Sequence, residues 1–294
     1  MFGRARAHHL RQVRFCIATG LLLLAAVATA GPSHTLDRIR ADGVIHLGYR
    51  TGAAPFSFKE RDGKVRGYSV ELCTRVASAI QKQLGLPALK IEWTALEAST
   101  RIDSVAKGKV DIECGTTTVS LSRYERVDFS LPIFVDGGSV LTRTDAKVTQ
   151  FADLGGKRVA VIPGTTTETG LKREFAAINA KAELVPVNDG AVGLAQLLAG
   201  KVDAYAGDRI VLVSLRAGSA DPAKIALLER DFSFEPYALV LPRDDPDFRL
   251  AVNRALVEIY RSGDIDDIFS RWLGALGRPG PLLHSMFYLN TLPE

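Results

Sequence analysis

The 294-residue chain is poor in the residue types on which metal sites and covalent catalysis depend. It has three cysteines and five histidines, and their spacing matches no metal-binding pattern. The sequence contains no phosphate-binding glycine loop, serine-hydrolase elbow, zinc-protease motif or CxxC pair. We therefore expect no catalytic residue, no metal and no cofactor. The inventory favours binding over turnover.

An excess of positive charge is confined to the start of the chain. Four arginines lie in the first thirty residues, which contain no Asp or Glu. The whole chain has 37 basic and 33 acidic residues, so that without these four the two counts are equal. A chain that is neutral over its remaining length has no basic patch for a polyanion, and we expect no nucleic-acid partner.

Residues 1–30 have the order of a secretory signal peptide. Basic residues up to Arg14 precede an apolar run over 16–27, and Ala28-Thr29-Ala30 follows. The alternative is a membrane anchor, but the apolar run is shorter than the roughly 20 residues that cross a bilayer. We predict cleavage and a periplasmic location.

Two cysteines remain after cleavage, Cys73 and Cys114. An exported pair of cysteines can form a disulfide. The alternative is that both are small buried apolar side chains. Their spacing leaves the choice between these open.

Helix and strand patterns alternate along the rest of the chain. The spacing of Leu72, Val76 and Ile80 predicts a helix over 68–84, and the apolar positions of 265–273 predict another. Short apolar runs typical of buried strands lie between such helices, at 44–47, 91–93, 159–162, 184–187 and 238–241. This alternation predicts an α/β fold.

One pattern occurs twice, at 106–115 and 198–207. Both copies contain Gly-Lys-Val-Asp, and the glycines at 108 and 200 are 92 positions apart. A four-residue match can be coincidence, but in each copy a predicted helix ends at the glycine and a short buried strand follows. We interpret the copies as two similar α/β lobes whose strand-end loops face each other across a cleft.

The loops at these strand ends share a chemistry that suits a small anionic zwitterion. Arginine pairs with carboxylates through two parallel hydrogen bonds, hydroxyls and glycine amides satisfy further oxygens, and a lone acid suits an ammonium group. The candidate residues are Arg50, Arg101, Thr116, Thr118 and Arg123 in the first half and Gly164, Thr165, Thr166 and Asp208 in the second. We expect the three arginines to face one shared opening.

Structural roles for the same residues stay open at this point. Thr116 and Thr118 fit a plain strand end, and Asp208 fits a helix cap before Ile210. Gly164 fits a turn. Each arginine taken singly fits solvated surface.

The sequence resembles the family 3 solute-binding proteins of polar amino-acid ABC transporters, above all the glutamate/aspartate-binding branch. The resemblance covers nearly the whole mature chain. The segments that carry it include Pro55-Phe56-Ser57-Phe58, Gly67-Tyr68-Ser69, Asp111–Thr118, Val127-Asp128-Phe129-Ser130, Phe151–Lys157, Pro163–Thr166 and Arg243-Asp244-Asp245-Pro246.

The resemblance implies a two-lobed type II periplasmic-binding-protein fold, with a mixed sheet flanked by helices in each lobe and two hinge strands between them. We place lobe 1 at 31–138 plus 233–294 and lobe 2 at 139–232. The family implies a monomer that closes on one amino acid and presents it to an inner-membrane ABC permease.

The resemblance also implies a role for each candidate residue. By this resemblance, Arg123 and the loop Gly164–Thr166 bind the α-carboxylate of the amino acid. Asp208 and the loop Gly115–Thr118 bind its α-ammonium group. Arg50 and Arg101 match arginines that neutralise a side-chain carboxylate, so an acidic amino acid is the expected ligand. Two positions depart from that branch, which usually has a serine at Ala98 and often a histidine at Gly190.

Two other functions fit the same scaffold. The first is a secreted dehydratase resembling cyclohexadienyl dehydratases, for which Glu113 or Glu168 would be the acid or base. The second is a periplasmic amino-acid sensor that signals to a separate membrane kinase.

Overall fold

The computed structural model of the chain describes residues 34–293. The predicted signal peptide, residues 1–30, lies outside the described residues. Within 34–293, no helix combines the length and the apolar character that crossing a bilayer requires.

Helices and strands alternate along the first half of the chain, as their spacing predicts. The helices there are α1 (His34–Asp42), α2 (Tyr68–Gln83), α3 (Arg101–Ala106) and α4 (Leu121–Tyr124). The strands are β1 (Val44–Arg50), β2 (Gly52–Ala53), β3 (Ser57–Lys59), β4 (Val65–Arg66), β5 (Lys90–Leu96), β6 (Ile112–Glu113) and β7 (Asp128–Arg143).

The second half continues the alternation and ends in three helices. Its strands are β8 (Arg158–Val161), β9 (Glu183–Pro186), β10 (Ala204–Asp208), β11 (Ile225–Leu227) and β12 (Ser233–Leu241). Its helices are α5 (Thr166–Ala177), α6 (Gly190–Leu198), α7 (Arg209–Ala217), α8 (Pro246–Ser262), α9 (Asp264–Leu273) and α10 (Pro281–Leu289).

The main sheet has two parallel parts joined by a central antiparallel pair. Its strand order is β5-β1-β6-β12-β7-β10-β8-β9, with β11 also on β7. β1 pairs in parallel with β5 and β6, and β8 pairs in parallel with β10 and β9. β7 has 16 residues and pairs antiparallel with both β12 and β10. β7 and β12 therefore cross from one part of the sheet to the other.

Separate apolar cores support the two parts of the sheet. The largest buried cluster gathers side chains of α2, α8 and α9, among them Leu72, Val76 and Ile80 on the predicted face of α2. Two other clusters, around Val140 and around Leu141, draw all their buried members from 140–232. The lobe boundaries at 138/139 and 232/233 stay predictions.

A disulfide joins Cys73 on α2 to Cys114 directly after β6, with 6.2 Å between their Cα atoms. Of the two alternatives that the sequence left open, the structure has the bridge. It closes a loop over 41 positions and fixes the short strand β6 to the helix that covers it.

Candidate ligand site between the lobes

The two Gly-Lys-Val-Asp segments adopt the same local structure. Gly108 and Gly200 both end their helices with left-handed backbone, at φ +66° and +69°. The carboxylate of Asp111 accepts a hydrogen bond from a backbone N–H of β1 at 2.8 Å, and that of Asp203 accepts one from β8 at 2.9 Å. In both lobes the aspartate thus fixes a short strand beside its parallel neighbour, and the repeat predicts the helix end and the strand.

A small cavity of about 50 Å³ lies where these strands end. Because parallel strands of a sheet end at the same edge, the residues that follow them gather there. The predicted site residues that line the cavity are Arg50, Arg101, Thr116, Thr118, Thr165, Thr166 and Asp208.

The remaining two predicted residues, Arg123 and Gly164, line an adjoining opening instead. The opening shares Thr118, Thr165 and Thr166 with the cavity. Arg123 donates a hydrogen bond from Nη1 to the carbonyl of Thr118 at 2.6 Å. The structure therefore brings Arg50 and Arg101 to one cavity and Arg123 to its neighbour, across the shared threonines.

Arg101 is held rigidly at the start of α3. It is 3% exposed, its Nε donates to Thr117 Oγ1 at 2.7 Å, and its Nη1 donates to the carbonyl of Ala98. Burial, together with the positive charges of Arg50 and Arg123, lowers the pKa of Arg101 to about 9. The guanidinium therefore remains charged at neutral pH, and an anion that neutralises it would be favoured.

Arg50 ends β1 and is 7% exposed. Its neighbour Glu113 is fully buried, and neither carboxylate oxygen has a hydrogen-bond partner among residues 34–293. A β-carbon on Gly115 would overlap Glu113 Oε1 and lie 2.8 Å from Arg50 Cγ, so only glycine fits between them. Within the described residues, neither Arg50 nor Arg101 has a carboxylate oxygen within ion-pair distance.

Asp208 is the acid of the cavity. Its carboxylate accepts hydrogen bonds from Thr167 Oγ1 at 2.8 Å and from the Tyr237 hydroxyl at 2.7 Å. Burial, followed by the charge of Glu235, raises the pKa of Asp208. Asp208 precedes α7 but makes no side-chain cap bond. The interpretation of its side chain as a helix cap is therefore wrong.

The start of α5 supplies the polar wall of lobe 2. Thr165 caps this helix by accepting from Glu168 N at 3.1 Å. Gly164 has φ +72°, and its N–H donates to Glu168 Oε2 at 2.8 Å. Gly164 thus makes a turn, and its amide is engaged. The free N–H groups at the start of a helix favour a negative charge, so this wall suits a carboxylate.

Two acids on the crossing strands complete the site and were not among the predicted residues. Glu235 is 1% exposed, and its Oε2 accepts from the hydroxyls of Thr118 and Thr166 at 2.6 Å each. Asp136 accepts from Ile210 N at 3.1 Å and thereby caps α7. Burial, followed by the charge of Asp208, raises the pKa of Asp136 to about 7. The one sequence signal for both is a charge inside an apolar run.

No group of His, Cys, Asp or Glu side chains among residues 34–293 is arranged to hold a metal ion. The polar groups that line the cavity are guanidinium, hydroxyl and carboxylate groups of single residues. Such a set recognises a charged organic molecule by hydrogen bonds and ion pairs.

Known proteins share this fold and this sequence pattern. An L-glutamate/L-aspartate-binding protein of Pseudomonas aeruginosa is 34% identical over 252 residues, which are 85% of this chain and 83% of the relative. A glutamate/aspartate import solute-binding protein of Escherichia coli K12 is 30% identical and covers 87% of each chain. A solved ancestral amino-acid-binding protein, described as a precursor of cyclohexadienyl dehydratase, superposes with a TM-score of 0.70 at 28% identity, over 81% of this chain and 99% of its own.

The fold and the interlobe cavity define a two-lobed binding protein of the type II periplasmic class. The model of the bacterial extracellular solute-binding proteins, family 3, matches residues 45–275. The chain belongs to this family. The predicted family and fold class are thereby confirmed.

Proposed function

We propose that this protein is the solute-binding component of an amino-acid ABC transporter and that it binds an acidic amino acid resembling glutamate or aspartate. The observation that carries this proposal is the pair of buried guanidiniums of Arg50 and Arg101, which line one cavity without a carboxylate partner among residues 34–293. Two buried cations without a direct ion pair favour a ligand that brings negative charge. The names of the two curated relatives support the same ligand class.

Each end of such a ligand has complementary groups in the structure. Arg50 and Arg101 take the side-chain carboxylate, and Asp208 with Thr116 and Thr118 takes the α-ammonium group. The α-carboxylate lies at the start of α5, near Thr165 and Thr166, and Arg123 reaches it across the shared threonines. A bidentate arginine–carboxylate contact contributes on the order of 1.5–3 kcal/mol net.

Binding is coupled to closure of the two lobes. In the closed arrangement the hydroxyls of Thr118 and Thr166 are 3.1 Å apart across the cleft. Closure removes water from the charged groups and strengthens their contacts with the ligand, so the ligand stabilises the closed form. The β7 and β12 strands carry the bending, and the closed complex is delivered to an inner-membrane permease after export to the periplasm. We propose a monomer.

The test is calorimetry on the purified, ligand-stripped protein with L-glutamate, L-aspartate and their amides. We expect a Kd of about 1 μM for an acidic amino acid. Arg101→Ala should weaken that affinity about 100-fold or more, since truncating a buried charge pair costs about 2–5 kcal/mol. Arg123→Ala should abolish binding of acids and amides alike. Arg61→Ala, at an exposed turn, is the matched control. Tighter binding of the amides by the unmodified protein would refute the acidic ligand.

A dehydratase is the second candidate function. It is favoured by the unpartnered carboxylate of Glu113 and by the likeness to the precursor of cyclohexadienyl dehydratase. Glu113 is fully buried and does not line the cavity, so it lacks the access to substrate that a proton donor needs. Release of product from prephenate or arogenate would decide for the enzyme, and stoichiometric binding alone would decide for the transporter component.

A further inference from the structure

The ring of Tyr205 occupies a space that two glycines leave open. Tyr205 lies on β10 and is 1% exposed. A β-carbon on Gly193 would lie 2.6 Å from Tyr205 Cδ2, and one on Gly190 would lie 3.4 Å from the Tyr205 hydroxyl. Larger side chains at these two positions of α6 would displace the ring or its hydroxyl. Gly190 is also one of the positions at which this sequence departs from the glutamate/aspartate branch, and a β-carbon there would lie 2.9 Å from Leu215 Cδ1, so that Leu215 and Tyr205 together occupy the space of a side chain.

The hydroxyl of Tyr205 differs in its hydrogen bonding from those of three other buried tyrosines among residues 34–293. It makes no hydrogen bond to any residue of the described chain, whereas the hydroxyls of Tyr68, Tyr237 and Tyr260 all donate to protein oxygens. Buried tyrosine hydroxyls are normally hydrogen-bonded, because an unmet one is costly. Tyr205 lines the cavity together with Arg50 and Arg101. The Tyr205 hydroxyl is not among the fully enclosed, unpartnered side-chain atoms of residues 34–293, so it is accessible from the cavity, where a ligand oxygen can accept a hydrogen bond from it.

The charges around Tyr205 keep its hydroxyl protonated. Burial, followed by the charges of Asp208 and Asp189, raises its pKa above that of a free tyrosine, and Arg50 acts in the opposite direction. A protonated phenol donates one hydrogen bond. At neutral pH the group is therefore a donor beside a guanidinium and suits an oxygen that only accepts.

We propose that Tyr205 determines specificity, by donating a hydrogen bond to the ligand's side-chain carboxylate beside Arg50 and Arg101. This inference rests on the proposed function. All three groups can donate to a carboxylate, which has only acceptor atoms, and a bond from the phenol to that charged group is stronger than one to a neutral carboxamide, whose NH₂ group also faces the two guanidiniums unfavourably. A site built of donors rejects the group that cannot accept from it, so Tyr205 favours the acid over its amide.

The experiment compares Tyr205→Phe with Tyr260→Phe. Both changes remove only a hydroxyl, and Tyr260 donates to the carbonyl of Pro132 at 2.8 Å, away from the cavity. Affinities for L-glutamate, L-aspartate, L-glutamine and L-asparagine are measured by calorimetry, and ligand-free melting temperatures by scanning calorimetry. We expect Tyr205→Phe to bind the preferred acid about 10-fold more weakly, to lose acid-over-amide preference by a similar factor and to melt like the unmodified protein. We expect Tyr260→Phe to melt at a lower temperature with unchanged affinities.

The outcomes separate this inference from the proposed function. If the unmodified protein binds an acid and Tyr205→Phe retains both its affinity and its acid-over-amide ratio, the role of Tyr205 is overturned and the proposed function stands. Equal weakening toward acid and amide would also overturn it, since that result describes a structural residue. If the unmodified protein binds neither acid, the proposed function and the role of Tyr205 fall together.

Discussion

The two lobes carry the same backbone pattern but different side chains at equivalent positions. With the glycines at 108 and 200 superposed in sequence, residues 113–116 read Glu-Cys-Gly-Thr and residues 205–208 read Tyr-Ala-Gly-Asp. Both segments end a short strand that is paired in parallel with its neighbour. The first lobe adds two arginines to the cavity, and the second adds its acid. A repeated frame thus fixes where side chains gather, and the side chains that it carries to the cavity differ between the lobes.

The lobes also differ in how the strand is secured. β6 has 2 residues in strand geometry, whereas its counterpart β10 has 5. Cys114 is bridged to α2 at the position where the second lobe has Ala206. The disulfide supplies to the shorter strand the attachment that the longer strand obtains from its backbone ladder with β7.

Removing the disulfide should produce the largest stability effect. It would also leave the strand ends of both lobes without a covalent attachment. In the double variant Cys73→Ala, Cys114→Ala, alanine replaces cysteine as it does at position 206. We expect the free energy of unfolding to fall by about 2–4 kcal/mol, because the bridge restricts the unfolded chain over a long loop. Denaturant titration measures this, with the reduced unmodified protein as control. A loss below about 0.5 kcal/mol would show that the backbone alone secures β6.

A substitution of Asp136, on the crossing strand β7, should change stability in a way that depends on pH. Its carboxyl has a pKa of about 7 in the fold against 3.8 when unperturbed, so the folded state keeps a proton that the unfolded state has lost between these values. The resulting destabilisation is complete above pH 7 and vanishes toward pH 4. Asp136→Asn should therefore raise the free energy of unfolding at pH 8 by about 1–3 kcal/mol and change it little at pH 4.

The measurement is denaturant unfolding across this pH range, with Asp247→Asn on the exposed start of α8 as control. The asparagine oxygen can still accept from Ile210, so the cap of α7 is kept. A variant that is less stable than the unmodified protein at pH 8 would contradict the assignment of Asp136 as a strained buried acid.

Substitutions of the equivalent glycines, Gly108 and Gly200, should have the smallest effect on stability. The two effects should also be nearly equal. Gly108→Ala and Gly200→Ala place a β-carbon on left-handed backbone with no atom within 4 Å of it. The cost is therefore conformational alone, about 1 kcal/mol each. Gly155→Ala, at φ −54°, controls for the change itself. Costs at 108 and 200 that differ by more than about 1 kcal/mol would show that the two turns are not equivalent.

Local signals in the sequence were sufficient to predict the helices and the repeated helix ends of the two lobes. The spacing of apolar residues predicted α2 and α9, and the Gly-Lys-Val-Asp copies predicted two helix ends that the structure has. Such features depend on neighbours within one turn or one strand. The same reasoning placed seven of the nine candidate residues at one cavity, because loops after parallel strands meet at one edge.

Local signals did not predict the crossing strand β7, nor the roles of Asp136 on β7 and Glu235 on β12. Pro132 and the pair Gly137-Gly138 are typical strand breakers. In the structure, Pro132 lies where the register between β7 and β12 shifts, so the strand continues past it. The functions of Asp136 and Glu235 depend on partners from distant segments, among them Tyr237, Thr118 and Thr166. The position of Arg123 beside the cavity likewise depends on side-chain direction, which spacing does not determine.

The burial of Arg50 and Arg101 limits the effect of dissolved salt on their charges. These side chains are 7% and 3% exposed. Dissolved counter-ions screen charges at a surface, but they have little access to groups enclosed by protein. The proposed attraction of these two groups for an acidic ligand would therefore change little with the salt concentration of the medium.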